Sequence, residues 1–234
     1  MRFLLILALA FYAASALHTD VWYVRNRTRP LVVSHRGACG IIPEHTLKAY
    51  ETAYFENTDF NELDLQVSKD GHLVVSHNPC MKETTNVDEF TQYHSRRRNI
   101  TFEINNSKFT NDYLINDFTF DEIKALKSRS RYDSRNPTFN FLWGPVELRE
   151  VIEQHLVLNK ERPRPHLVGL YIETKMVSFY AERGIDIAKM LHEELKKYGL
   201  DTAKNASATL PIIIESFEKE SLKYFAKETD LPCV

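Results

Sequence analysis

Short apolar runs alternate along this chain with stretches in which apolar residues return every three or four positions. The short runs, at Leu31–Ser34, Leu63–Val67, Leu73–Ser76, Leu167–Ile172 and Pro211–Ile214, predict strands. A first helix is expected from Pro43-Glu44, with Leu47, Tyr50 and Tyr54 along one side. Proline suits a first turn, where the N–H it lacks is not needed. A second starts at Thr119, whose hydroxyl caps free backbone donors while Glu122 reaches back, turning Ile123 and Leu126 inward. A third follows Pro145 and carries Leu148, Val151, Ile152 and Leu156. A fourth aligns Ile187, Leu191, Leu195 and Tyr198 and stops at Gly199, which takes a left-handed conformation without strain. The last spans Glu218 to Lys227 and buries Leu222 and Phe225. Strands alternating with helices predict an α/β fold on a parallel sheet.

From about residue 78 to 117 no period holds, and the stretch reads as one insertion within a single domain. Its run Arg96-Arg97-Arg98 reads as a solvated loop. The net charge of −2, from 30 basic and 32 acidic residues, gives no electrostatic footprint for nucleic acid.

Arg2 followed by an apolar run from Phe3 to Ala14, then Ala14-Ser15-Ala16, fits a signal peptide over residues 1–16 cut after Ala16. The run is too short to span a bilayer, and no later stretch is apolar enough, so no stable membrane anchor is expected. A secreted or lumenal destination agrees with acceptor patterns for glycosylation at Asn26, Asn99, Asn105 and Asn205; Asn136 is excluded by Pro137. Three cysteines allow at most one internal bridge.

Two predicted strands end alike, Val32-Val33-Ser34-His35 and Val74-Val75-Ser76-His77. In a parallel α/β fold the functional groups gather at strand ends, so neighbouring strands would bring His35 and His77 to one substrate. Imidazoles both give and take protons near neutrality. Glu62 and Asp64, two apart on a strand, project to the same side. Their mutual repulsion calls for a cation, and hard oxygen ligands select Ca²⁺ or Mg²⁺. Glu173 offers a third carboxylate, with Lys175 as a positive group for phosphate oxygens and Arg36 beside His35 to grip another. These parts suit cleavage of a phosphate diester, where a clamped charge and positioned proton transfer lower the barrier. Which histidine is acid and which base stays open. The chain has no Gly-x-Ser-x-Gly elbow, no Gly-rich nucleotide loop and no zinc-type pairs.

His35-Arg36-Gly37-Ala38 and Pro43-Glu44-His45-Thr46 resemble the opening signature of the glycerophosphodiester phosphodiesterases. Glu62-Leu63-Asp64-Leu65-Gln66, Lys69-Asp70-Gly71 and Val74-Val75-Ser76-His77-Asn78 continue it in order. The segments 116–123 and 171–175 look most like the periplasmic branch, and Ile214-Glu215-Ser216-Phe217 resembles a fifth-strand motif. The resemblance implies a TIM-type (β/α)8 barrel that hydrolyses glycerophosphodiesters to glycerol 3-phosphate and an alcohol. It implies His35 and His77 as the acid/base pair, Glu62, Asp64 and Glu173 as metal ligands, and Arg36 and Lys175 on the phosphate. It also places strands one and three together at the mouth, hence a Cys39–Cys80 disulfide. Asn78 departs from the family's usual aspartate, weakening the electrostatic support of His77. At 234 residues the chain ends where a sixth strand would start, which implies an incomplete barrel of about five to six strands. Alternatives are a related barrel acting on intact phospholipids, or an inactive secreted binding module.

Overall fold

The computed structural model describes residues 29–102, 107–161 and 166–234. The strands are β1 (Val33–Ser34), β2 (Phe60–Val67), β3 (Leu73–Val75), β4 (Arg98–Phe102), β5 (Ser107–Asp112), β6 (Gly169–Thr174) and β7 (Ile212–Glu215). The helices are α1 (Leu47–Phe55), α2 (Phe120–Lys124), α3 (Leu148–Glu161), α4 (Val177–Ala181), α5 (Ile187–Lys197), α6 (Ala203–Thr209) and α7 (Lys219–Glu228).

Four strands run parallel in the order β1-β2-β6-β7, and Cys233 opens a further parallel pairing against Ile214. Side chains alternate across a strand. Leu63, Leu65, Leu170, Ile172, Ile212 and Ile214 therefore point outward and join Val151, Leu191 and Phe225 of the helices in the main core. Phe60, Tyr171 and Ile213 point inward and make a small apolar floor. Gly169 is required there, because a Cβ would lie 2.3 Å from the Phe60 ring and 2.5 Å from the Pro211 carbonyl. Among the described residues the sheet is an open arc with helices on its outer side, the architecture of part of a TIM-type barrel.

The later helix signals hold closely, but α1 begins at Leu47 and not at Pro43-Glu44, which lie in the turn ahead of its cap. Thr46 caps α1, accepting from the Ala49 N–H at 3.1 Å. Thr119 and Glu122 form the expected capping box on α2, and Gly199 ends α5 at φ 65°. The short helices α4 and α6 carry too little apolar periodicity to stand out in the sequence.

One feature follows from the tight turn after β2, and two expectations are corrected. Strand β3 is antiparallel to β2, pairing Leu65 with Val75 and Val67 with Leu73. The Lys69-Asp70-Gly71 turn, with Gly71 at φ +84°, is too short for a parallel crossover. His35 and His77 thus do not leave parallel neighbours, despite their matched sequence endings. First, the segment after residue 78 contains the β4–β5 hairpin and a core of its own, with Met81, Val87, Tyr113, Ile115, Phe118 and Leu126. The arginine run is not a free loop: Arg96 and Arg97 lie half-buried against this core, while Arg98 is exposed at the start of β4. Arg96 grips Glu122 with two hydrogen bonds and lies 4.5 Å over the Phe118 ring, while Arg97 pairs with Asp88 and Arg98 with Asp117. Second, Cys39 and Cys80 form no disulfide, and all three cysteines are free. Cys80 is turned into the main core beside the bridge to Leu114, whereas Cys39 sits in the half-exposed loop after β1.

Candidate active site

β1 meets β2 at Phe60 and Asn61, and the chain leaving β3 descends the same edge until Ser76 N–H donates to the Asp64 carbonyl at 2.9 Å. His35 and His77 therefore approach Glu62 and Asp64 from opposite directions along one edge of β2. The other edge is filled by β6.

Register builds the acidic centre. Asp64 lies directly opposite Glu173, and Glu173 opposite Glu215, so three strand ends carry a row of carboxylates at one level. Glu62 projects from one pleat below. Glu62, Glu173 and Glu215 each offer an oxygen within 4.8 Å of the others. Lys175 Nζ stands 2.6 Å from Glu173 Oε2 and 3.1 Å from Asp64 Oδ1. Asp64 also faces His45 Nε2 at 3.0 Å and Arg36 Nε at 3.4 Å. Because a carboxylate only accepts, His45 carries its proton on Nε2 and takes the Tyr50 hydroxyl at Nδ1, at 2.7 Å.

The loops that supply these groups are held in conformations unusual for side-chain-bearing residues. Arg36, His45 and Met176 all have positive φ, at 61°, 57° and 54°. At Arg36 this turns the N–H onto Glu62 Oε2 at 2.7 Å, while the guanidinium reaches Glu44 at 3.3 Å. Gly37 follows at φ +72°, with Ala49 backbone only 2.7 Å from where a Cβ would be. Arg131, from the loop before α3, clasps Glu44 with two hydrogen bonds of 3.2 and 2.6 Å.

Burial and like charge push Glu62 up to about 9 and Glu173 up to about 8. Desolvation comes first in both, followed by Asp64 for Glu62; for Glu173 the Lys175 contact opposes the rise. Asp64 is the exception. Burial favours its neutral form, yet the His45 hydrogen bond and the nearby Lys175 ammonium hold it well below the carboxylate range. Burial lowers His35, and Arg36 adds to this. Burial takes His77 down to about 4, against the pull of Asp64.

The donor set fits a hard divalent cation. Several carboxylates converge where two are too crowded to ionise easily, and Asp64 Oδ1 is buried without a hydrogen bond despite the nearby ammonium. A divalent charge would relieve both conditions.

All seven residues singled out as catalytic, metal-holding or phosphate-binding lie in this region. Arg36 is more enclosed than expected, its guanidinium engaged by Glu44 and Asp64. Four contributors were not singled out. Glu215 is a strand-end glutamate like Glu173, and Glu44 and His45 sit inside a motif already noted. Arg131 carried no local signal, since only folding brings its loop over the site.

The sequence model of the glycerophosphoryl diester phosphodiesterase family matches residues 35–234. The chain belongs to this family, and its open arc is part of that family's TIM-type barrel. It is 33% identical over 212 residues to the glycerophosphodiester phosphodiesterase GDPD6 of Arabidopsis thaliana, covering 88% of this chain and 55% of that protein. It is 32% identical over 214 residues to the glycerophosphodiester phosphodiesterase of Bacillus subtilis, covering 88% and 59%. The chain thus spans little more than half the length of these relatives. Among solved structures, a putative glycerophosphoryl diester phosphodiesterase from Silicibacter pomeroyi superposes with a TM-score of 0.62 at 19% identity, over 88% of this chain and 65% of that one. An Oleispira antarctica phosphodiesterase, solved with sn-glycerol-3-phosphate as product, superposes with a TM-score of 0.57 at 22% identity, over 86% and 64%.

Proposed function

We propose that this chain hydrolyses glycerophosphodiesters to glycerol 3-phosphate and an alcohol, using a divalent cation, Ca²⁺ or Mg²⁺. Glu62, Asp64 and Glu173 hold the cation, and Glu215 joins them. The observation that carries this reading is the alignment of Asp64, Glu173 and Glu215 across three parallel strands, flanked by His35 and His77. The names of the relatives that share 32–33% identity support it.

When bound, the cation neutralises charge on the phosphate and its developing transition state. Lys175, held between Asp64 and Glu173, would add a second positive group for the phosphate, with Arg36 against Asp64 and Glu62. One of His35 and His77 takes the proton of the attacking oxygen, and the other protonates the departing alkoxide. His77, with its basicity depressed, is neutral at pH 7 and free to accept a proton.

The remaining sequence expectations stand beside this reading. We propose entry to the secretory pathway, with a signal peptide at residues 1–16. That segment, Asn26 and Asn105 lie outside the described residues. Asn99 and Asn205 are exposed, as acceptors for glycans must be. No helix among the described residues is long and apolar enough to cross a membrane.

The test is incubation with glycerophosphocholine and, separately, with phospholipid vesicles, each with chelator, Ca²⁺ or Mg²⁺. Release of glycerol 3-phosphate and choline from the first, abolished by chelator, is expected. Product from vesicles alone, or from neither, rules the proposal out.

A further inference from the structure

The ring of His77 makes one side-chain hydrogen bond among the described residues: Nδ1 to Asn78 Oδ1, at 2.8 Å. A primary amide has two ends of nearly the same shape and opposite chemistry, since its oxygen accepts and its nitrogen donates. Which end faces the imidazole decides which ring nitrogen carries the proton. The amide's other end settles the matter. Asn78 Nδ2 lies 2.8 Å from Glu83 Oε2, and a carboxylate offers no proton. The NH₂ must therefore turn toward Glu83, the oxygen must turn toward His77, and Nδ1 must supply the hydrogen.

Glu83 is itself held on the site side by Arg131 at 3.7 Å, the same arginine that clasps Glu44. Asp64, Lys175 and Arg36 shift the proton affinity of His77 through charge, without bonding to its ring. The hydrogen bond from Nδ1 to Asn78 is the contact that distinguishes the two nitrogens directly.

We infer that Glu83 is a positioning residue that selects the tautomer of His77: acting through the Asn78 amide, it keeps the proton on Nδ1 and leaves Nε2 as the nitrogen offered to substrate. Its consequence for turnover rests on the hydrolytic reading given above, but the tautomer itself does not. A neutral amide backed by a distant carboxylate fixes geometry with little charge on the imidazole. Aspartate at position 78 would fix the same geometry and add charge.

The test uses the full chain with ¹⁵N-labelled histidine, observed at pH 7 through long-range ¹H–¹⁵N couplings that distinguish the tautomers. In the unaltered chain His77 is expected as the Nδ1–H form. Glu83→Lys leaves only donors at position 83, so Asn78 must reverse, present its NH₂ to Nδ1 and drive the proton to Nε2. In the double variant N78D/E83K the aspartate accepts from both neighbours, and the Nδ1–H form returns. Hydrolysis of glycerophosphocholine should fall by about 10²–10⁴-fold in E83K and recover in the double variant. An Nε2–H form in the unaltered chain, or an unchanged tautomer in E83K, overturns the inference. Tautomers that move as stated in a chain that hydrolyses nothing would uphold it and remove the hydrolytic reading instead.

Discussion

Asp64 and Glu173 face each other across the β2–β6 pairing, and the Lys175 ammonium stands between them, 3.1 Å from one and 2.6 Å from the other. Lysine thereby serves as the internal counter-ion of a crowded acidic row. Removing one partner of a buried ion pair leaves charge uncompensated, at a cost on the order of 3 kcal/mol. Lys175→Met is expected to lower the melting temperature in chelator, and Ca²⁺ or Mg²⁺ should then raise it by more than in the unaltered chain. Thermal scans with and without cation check both effects.

The same crowding sets a pH dependence. With Glu62 near 9 and Glu173 near 8 in the folded chain, and unfolded glutamates near 4.3, the folded state holds more protons across the interval between. Stability falls with rising pH wherever the folded state is the more protonated. His77, lowered to about 4, works the other way, but its effect is complete once unfolded histidine has titrated, near pH 6.5. The melting temperature in chelator is therefore expected to drop between pH 7 and 8.5. Saturating cation should flatten that slope and release protons as it binds, which calorimetry in buffers of different ionisation enthalpy reads directly. A melting temperature that climbs over this interval contradicts the assignment.

Glu215 tests the make-up of the acidic centre. Its oxygen lies within 4.8 Å of those of Glu62 and Glu173, and Glu215→Gln keeps the shape while removing the charge. Affinity for Ca²⁺ should weaken by at least about tenfold, measured by titration calorimetry. Unchanged affinity would restrict the centre to Glu62, Asp64 and Glu173.

Replacing either imidazole should act on the chemical step. His35→Ala and His77→Ala are each expected to lower kcat by about 10²–10⁴-fold, with little change in cation affinity. A variant retaining near-full turnover would exclude that histidine from acid/base work.

The thiols give a covalent check. Cys39, Cys80 and Cys233 are all free, so the unfolded, unreduced chain should take up three equivalents of a thiol reagent. Without denaturant, Cys80 should react last, because burial raises its thiol and closes off access.

Sequence reading succeeds here wherever the signal is local. Thr119 and Glu122 announce a capping box because both act within one turn. Glu62 and Asp64 share a side because strand periodicity is two. The Arg96–Arg98 run misleads for the complementary reason. Its partners, Glu122, Asp88 and Asp117, are distributed along the chain, and only the second core brings them to it.

By itself, then, the sequence determined the alternation of elements, the strand-end acids and imidazoles, and the family, since each is carried by neighbouring residues. Tertiary structure alone decided that Glu215 completes a row with Asp64 and Glu173, and that Arg131 closes over Glu44. Those facts depend on register and on which distant segments share an edge. The physical reason is that side-chain periodicity fixes what a strand presents, while the pairing of backbones fixes what it meets.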